Sequence, residues 1–377
     1  MALIAPQIIA PDTAHWATWI DHALGADPAR RAFARGFHGR LLDQGKIAFL
    51  SWHHLEELLG IESDENARRR IEFIQSLPLV AWMRQPTEKA GLGAITDILA
   101  AEVAAVDQGC ATLIEVRDHA RERLLQTGPA IDAIGTENWV WGVVRPMLLA
   151  RRPRVGMVAA LAEFSVFDMN QTVAQVVKHE RRTPEERNSM LKAIHAKAFR
   201  DAMSADPSRT VEEARAFADD LVSRTLDMLP AQEIGVRELI VSTYLGQGLE
   251  PHEIRDECRL SDLTALATFR QQLRVAAEIT GLPLHRLSRV RMEQMPSWLI
   301  MEALRKYGQK RLRRPGSDVH DQHLAVLSAY TDVLYVDKRT HEDFRRVCQK
   351  APELVPLLGS ITKAVQFRDM LDAASAF

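Results

Sequence analysis

The sequence predicts an α/β fold in three layers: a parallel sheet with helices on both faces, interrupted by a large all-helical insertion. Short apolar runs alternate with amphipathic helical segments in residues 1–86, and the same alternation returns in residues 316–377. Between these stretches, residues 87–315 contain almost no run with the character of a strand. We therefore expect one discontinuous domain, 1–86 with 316–377, and a helical insertion domain over 87–315.

The strands are predicted from short apolar runs that end at turn or cap residues. In chain order they cover residues 7–11, 46–51, 79–83 and 333–336, and the run 352–358 is a further candidate. Helices are predicted between the first three strands, at 13–24, 28–44, 52–59 and 65–76. Because strands and helices alternate, a parallel sheet with helices on its faces is expected.

The insertion is predicted to consist of amphipathic helices, several of which begin with a capping sequence. Two such sequences are Thr-Pro-Glu-Glu at 183–186 and Thr-Val-Glu-Glu at 210–213. The predicted helices cover 94–106, 111–126, 137–149, 157–179, 184–202, 211–228, 236–245, 251–258, 263–280 and 296–307. These segments have no fixed repeat period, so a regular solenoid is not supported.

Composition excludes several classes of protein. Charged residues at 26% and apolar residues at 46% are typical of a globular chain, and the formal charge of -2 excludes a globally basic nucleic-acid binder. Cys110, Cys258 and Cys348 are widely spaced and odd in number, which predicts a reducing compartment without a disulfide framework. The N-terminus lacks a basic flank, and Glu163 interrupts the apolar stretch 155–167. We therefore expect a soluble, cytoplasmic protein with no membrane partner.

Five carboxylates stand where the predicted elements would bring them to one edge of the sheet. Asp12 and Asp337 each follow a predicted strand, and Asp318 and Asp321 lie in the first turn of a late helix. Glu57 lies in the second turn of the helix that follows the second strand. Taken singly, each is more simply a cap, a turn residue or a surface residue. Together they predict a hard-cation site, because ligands of open α/β sheets bind outside the carboxyl ends of the strands.

In their order along the chain, these acids resemble those of the PIN-like domain family of metal-dependent nucleases. The resemblance depends on Asp12, on Glu57 before Leu58, on the acids that open the late helix, and on Asp337 at the end of Tyr-Thr-Asp-Val-Leu-Tyr-Val-Asp. It covers residues 8–83 and 316–347. The ordered set is more specific than any one of its members.

The resemblance implies a Mg²⁺ or Mn²⁺ cofactor that supports phosphodiester hydrolysis. Asp12 and Asp337 would hold the principal ion, while Glu57 and Asp321 would complete its ligands or orient water. Asp318 is the alternative to Asp321. Such ions activate water and neutralise developing charge, whereas clustered carboxylates without a cation would raise one another's pKa.

Neighbouring residues leave further alternatives open. Glu56 is an alternative to Glu57 as a metal ligand. Asp332 is a possible acid that contacts the ligands rather than the ion. Histidines flank the acids, and we interpret them as polar surface or satisfied buried side chains rather than ligands. They are His53, His54, His320 and His323.

Cations flank the late acids, with six in the ten residues 305–314. The candidates for substrate contact are Lys310, Arg311, Arg313, Arg314, Lys338 and Arg339. Phosphate neutralisation supplies much of the affinity for nucleic acid, so this arrangement favours a nucleic-acid substrate. RNA is favoured because the resemblance implies it. A solvated helix face is the structural alternative.

The leading hypothesis is a metal-dependent endonuclease, a ribonuclease, whose insertion recognises substrate, binds a protein partner, self-associates or restrains the site. A haloacid-dehalogenase-like phosphatase is an alternative, because a strand precedes Asp12 and Thr13, although Ala14 stands where that family has a second acid. A non-catalytic helical interaction protein on a degenerate PIN-like domain is the other alternative.

Overall fold

A six-stranded sheet organises the computed structural model, which describes residues 6–61, 63–86, 91–162, 168–178, 184–205, 209–228, 235–309 and 323–372. The strands are β1 (Gln7–Ala10), β2 (Lys46–Leu50), β3 (Val80–Met83), β4 (Leu125–Gly128), β5 (Val333–Val336) and β6 (Ser360–Lys363). Their order across the sheet is β4-β3-β2-β1-β5-β6. Neighbouring strands are parallel, except for β3 and β4. The predicted mixed α/β class with a mostly parallel sheet is confirmed.

The pairing of β1 with β5 joins the two ends of the chain. Ile9 lies opposite Val333 and Ala10 lies opposite Leu334 in parallel register. At the amino end of this pair, the Ile8 amide donates to Asp332 Oδ2 at 2.7 Å, and the Asp332 amide donates to the Ile8 carbonyl at 2.8 Å. The carboxyl ends of β1 and β5 therefore lie side by side at one edge of the sheet.

Two edge strands differ from the sequence prediction. β4 is half-exposed and antiparallel, and it lies where a helix was predicted to continue to residue 126. The predicted strand over 352–358 is wrong, because Pro352–Leu357 is a 3-10 helix and the strand follows it as β6. Pro352 and Pro356 have no amide hydrogen for a strand ladder, which explains why this apolar run does not extend the sheet.

Sixteen α-helices of the described residues are numbered here in chain order. They are α1 (Thr13–Leu24), α2 (Pro28–Asp43), α3 (Trp52–Leu59), α4 (Asp64–Gln75), α5 (Ile95–Asp107), α6 (Leu113–Leu124), α7 (Ala130–Ile134), α8 (Asn138–Ala162), α9 (Val173–Lys178), α10 (Pro184–Ala205), α11 (Val211–Met228), α12 (Val236–Gly246), α13 (Leu260–Thr280), α14 (Leu284–Leu287), α15 (Pro296–Tyr307) and α16 (Lys338–Lys350). The first four begin at Asp12, Asp27, Ser51 and Ser63, whose side chains accept hydrogen bonds from first-turn amides.

Helices cover both faces of the sheet, because successive strand residues point to opposite sides. Ile9 belongs to an apolar cluster with Trp16 of α1. The next residue, Ala10, belongs to a second cluster with Ile98 of α5 and Phe344 of α16. Every residue of β2, β3 and β5 is buried, as expected for strands that are covered on both faces.

The described chain forms two compact units. The first contains the sheet and lies within residues 6–152, 273–309 and 323–372. It is larger than the predicted α/β domain, because α5, α6 and α15 cover one face of the sheet and β4 extends it. The second lies within 153–272, where α10 packs along α11 and a separate core joins α9, α12 and the start of α13. No helix in the described part of the chain has both the length and the apolar character needed to span a bilayer.

A buried carboxylate connects three elements of the first unit. Glu102 of α5 is fully buried, and it accepts hydrogen bonds from the Ser297 amide at 2.8 Å, the Ser297 hydroxyl at 2.6 Å and the Tyr330 hydroxyl. Burial raises the pKa of Glu102 to about 7, and the three donors only partly oppose this rise. The folded protein therefore binds a proton at Glu102 more tightly than the unfolded chain does.

Replacing Glu102 with Gln should remove one component of the pH dependence of stability. The folded pKa lies above the unfolded value, so the stabilising contribution is complete below about pH 4.5 and is lost as pH rises through about 7. This loss corresponds to about 3 kcal/mol in the unfolding free energy. Urea denaturation of both proteins at about pH 4.5 and 8 measures it. An equal pH slope in the Gln variant would contradict this assignment.

Candidate active site

Asp12 and Asp337 lie together at the carboxyl edge of the sheet. Asp12 follows β1 as the N-cap of α1, and Asp337 follows β5 as the N-cap of α16. Asp12 Oδ1 accepts from the Ala14 amide at 3.4 Å, and Asp337 Oδ1 accepts from the Thr340 amide at 2.7 Å. In the described residues, neither carboxylate forms an ion pair with a lysine or arginine. Within the described residues, the two acids at this edge therefore accept hydrogen bonds from helix-start amides and form no ion pair with lysine or arginine.

Burial and like charge act together on Asp12. Burial raises the pKa of Asp12 most, and the negative charge of Asp337 raises it further. The neighbouring His15 and the Ala14 amide lower it. The interaction with Asp337 places the two carboxylates within electrostatic reach of each other across the β1–β5 pair.

His15, which the sequence analysis did not select, holds the start of α1. Its Nδ1 accepts from the Asp12 amide at 3.2 Å, so its hydrogen is on Nε2. The ring also forms a hydrogen bond with the backbone of Ala364, just after β6. Burial lowers the pKa of His15, while Asp12, Asp369 and Asp337 oppose that change. His15 is therefore a neutral side chain that orients Asp12.

Asp369 is a further residue near this edge that was not predicted from the sequence. It lies in the 3-10 helix Phe367–Leu371, and its Oδ2 accepts from the amides of Val365 at 2.7 Å and Gln366 at 2.9 Å. Its charge reaches His15. A short capping sequence after β6 was the only available signal, and such sequences occur at many helix starts.

His54 repeats the arrangement of His15 at the start of α3. Its Nδ1 accepts from the Ser51 amide at 3.0 Å, and its Nε2 donates to the Pro11 carbonyl at 2.8 Å. Burial lowers the pKa of His54 to about 3, so the ring is neutral. Of the two interpretations that the sequence left open, a satisfied buried histidine is therefore the one that describes His54. It joins the end of β2 to the residue that precedes Asp12.

Glu57 shares a groove with the last turn of α1, whereas Asp12 precedes the first turn. Glu57 lines a groove with Asp21 and Leu24, which lie nine and twelve residues along the chain from Asp12. At 1.5 Å per helical residue, that separation is about 13–18 Å. Helix α3 turns Glu57 towards the far end of α1, so strand order alone was insufficient to place it.

Glu56, the alternative to Glu57, faces a different neighbour. Its Oε2 lies 3.1 Å from His53 Nδ1, and the His53 ring centroid lies 4.7 Å from that of His323. Asp332, the other sequence alternative, is at the amino end of β5, where Arg121 donates to it at 2.8 Å. Asp332 is therefore excluded from the carboxyl edge and instead ties β5 to α6.

Several predicted site residues lie outside the described residues. They are Lys310, Arg311, Arg313, Arg314, Asp318 and Asp321, and His320 lies in the same segment. Of the predicted cations that are described, Lys338 and Arg339 are exposed in the first turn of α16, beside Asp337, and neither forms an ion pair with a described carboxylate. Within the described ranges, no group of three or more histidine, cysteine, aspartate or glutamate side chains is arranged to hold a metal ion.

Comparison with known proteins gave no match to a protein-family model, to a curated protein or to a solved structure.

Replacing His54 with Gln should reduce the acid sensitivity of the fold. The folded pKa lies below the unfolded value, so stability is complete above about pH 6.5 and is lost as pH falls towards about 3. Two pH units correspond to about 2.7 kcal/mol, which the wild type should lose between about pH 6.5 and 4.5. Glutamine keeps one acceptor and one donor, so the variant should lack this drop.

Urea denaturation across that range measures the difference. The same substitution at His285, which is exposed, controls for the removal of a histidine. If the His54 variant and the wild type lost equal stability on acidification, the buried neutral state would be wrong.

Proposed function

We propose that the chain is a metal-dependent nuclease that hydrolyses phosphodiester bonds at the carboxyl edge of β1 and β5. The observation that supports this most strongly is the convergence of Asp12 and Asp337 without a lysine or arginine partner in the described residues. RNA is the favoured substrate, because the ordered acids resemble those of PIN-like nucleases. The PIN-like assignment is part of the proposal.

The two carboxylates fit a Mg²⁺ or Mn²⁺ ion. Hard cations take oxygen ligands, and Mg²⁺ keeps several water ligands when it binds a protein. Two protein carboxylates can therefore supply part of its coordination, with water supplying more. A cation between them would also offset the burial and like charge that raise the pKa of Asp12. By the same resemblance, Asp318 or Asp321 would complete the ligands. When bound, such an ion activates water and neutralises charge on the phosphoryl oxygens.

The surrounding side chains have distinct proposed roles. His15 orients Asp12, and its Nδ1 is already an acceptor for a backbone amide, so it is not assigned as a general base. Lys338 and Arg339 lie next to Asp337, and Lys363 is exposed at the end of β6. These three cations have no carboxylate partner in the described chain, and they would neutralise substrate phosphates near the acids.

The position of Glu57 favours one other candidate. A non-catalytic interaction protein on a degenerate nuclease-like sheet would tolerate Glu57 in a groove with the last turn of α1. In that case the second unit would bind a protein partner. The haloacid-dehalogenase-like alternative gains no support, because Ala14 donates its amide to Asp12 and supplies no second carboxylate.

Asp12→Asn and Asp337→Asn should each abolish Mn²⁺-dependent cleavage of single-stranded RNA. Both changes remove a negative ligand and keep an oxygen that can cap a helix. Asp27→Asn is the matched control, because Asp27 is also an N-cap but begins α2. Cleavage is measured on gels, and circular dichroism verifies folding. Persistent cleavage by both variants would exclude this site.

Mn²⁺ should raise the Tm of the wild type but not that of Asp12→Asn. An ion that binds only the folded state stabilises it by about 2.7 kcal/mol at a hundred times its Kd. Differential scanning fluorimetry with and without Mn²⁺ measures the shift. Metal stabilisation without cleavage would favour the non-catalytic alternative, whereas an equal shift in both proteins would place the ion elsewhere.

A further inference from the structure

Three arginines converge on the carboxyl-terminal end of α1. Arg35, Arg69 and Arg31 donate hydrogen bonds to the consecutive carbonyl oxygens of Ala23, Leu24 and Gly25, at 3.4, 3.2 and 3.3 Å respectively. Consecutive carbonyls lie close together along the backbone. The three guanidinium groups are therefore neighbours, although they come from α2 and α4.

These cations have no carboxylate partner in the described part of the first unit. The acids of the adjoining segments are paired with other arginines: Asp21 with Arg70, Asp27 with Arg30 and Glu72 with Arg68. Like charges at such separations repel one another. Three neighbouring guanidinium ions that form no ion pair with a described carboxylate are therefore suited to bind an anion.

Capping of α1 accounts for only part of this arrangement. A cation at a helix carboxyl terminus is favourable by about 0.3–1 kcal/mol, and one side chain is enough to supply it. Each arginine uses one hydrogen bond for the carbonyl and has five N–H donors in all. The remaining donors form the planar fork that matches phosphate oxygens.

A surface groove of about 710 Å³ gives a ligand access to two of these arginines. Its lining includes Arg35, Arg69, His38, Phe73 and one acid, Glu72, which is paired with Arg68. Burial lowers the pKa of His38, and its Nε2 lies 2.8 Å from the Leu79 carbonyl, so the positive charge of the groove comes from Arg35 and Arg69. Phe73 is half-buried and offers an aromatic surface beside them.

The groove is distinct from the carboxylate site. It lies at the last turn of α1, whereas Asp12 precedes the first turn. The helix has 12 residues, which corresponds to about 18 Å. A single strand bound at both places would extend over several nucleotides.

We propose that the groove lined by Arg35 and Arg69, the arginine groove, binds a phosphate group of a polynucleotide strand outside the carboxylate site. The choice of a strand rests on the proposed function, whereas the three guanidinium ions require only a phosphate-type anion. The groove would increase affinity for longer substrates and take no part in bond cleavage.

Arg35→Gln combined with Arg69→Gln tests the proposal. Glutamine still donates to a carbonyl but has no charge. Binding of a fluorescent single-stranded RNA of about a dozen nucleotides is measured by anisotropy in EDTA, which prevents cleavage. We expect Kd to rise about tenfold and the salt slope to fall by about 1.4, at about 0.7 for each phosphate contact.

Arg237→Gln combined with Arg255→Gln is the matched control. It removes the same charge from two exposed arginines of the second unit that pair with Asp256 and Glu257. The control should retain wild-type affinity and salt slope. Thermal unfolding of both double variants verifies that they fold.

Adenosine monophosphate, measured in the same assay, separates a strand from a small phosphate ester. Weakened RNA binding in the groove variant, with no arginine-dependent binding of the monophosphate, supports the proposal. Unchanged RNA binding, or arginine-dependent binding of the monophosphate alone, overturns it. Arginine-dependent RNA binding by a wild type that never cleaves RNA would contradict the proposed function but not this groove. Metal-dependent cleavage by the wild type, together with unchanged RNA binding by the groove variant, would contradict this groove but not the proposed function.

Discussion

The hydrogen-bonded pairing of β1 with β5 is the constraint on which the candidate site depends. Ile8 and Asp332 exchange bonds across 324 residues of sequence, so the ends of the chain form the middle of one sheet. The entropic cost of closing a segment grows slowly with its length, and burial on both faces offsets it. Parallel register then sets Asp12 and Asp337 side by side, where each begins a helix.

Two neutral histidines form hydrogen bonds that connect the loops around these acids. His54 connects the end of β2 to Pro11, and His15 connects the start of α1 to Ala364 after β6. Each is the third residue of its helix, and its side chain accepts a hydrogen bond from the backbone amide of the N-cap residue. The two helix starts are therefore stabilised in the same way. Because both rings are neutral, neither His15 nor His54 balances the negative charge of the carboxylates at this edge. That arrangement favours a cation as the balancing charge.

The sequence predicted the central strands because they are apolar on both faces, and it predicted many helix starts because a cap residue precedes them. Its strand predictions failed at the sheet edges, where β4 and β6 are short and partly exposed, and where an apolar run that contains Pro352 and Pro356 has the composition of a strand. Two helix predictions also failed: residues 168–172 of the predicted helix 157–179 are not helical, and only Pro251–Glu253 of the predicted helix 251–258 forms a helix, of the 3-10 type. Asp12 and Asp337 could be predicted, since a strand end fixes their position. Glu57 could not, because its direction depends on how α3 is rotated.

A crystal structure of the protein grown with Mn²⁺ is the most direct test of a shared cation site. An anomalous peak should lie within about 2.0–2.6 Å of carboxylate oxygens from both Asp12 and Asp337, the range that hard divalent cations keep from oxygen ligands. A peak bound elsewhere, or two carboxylates directed away from each other, would contradict the site.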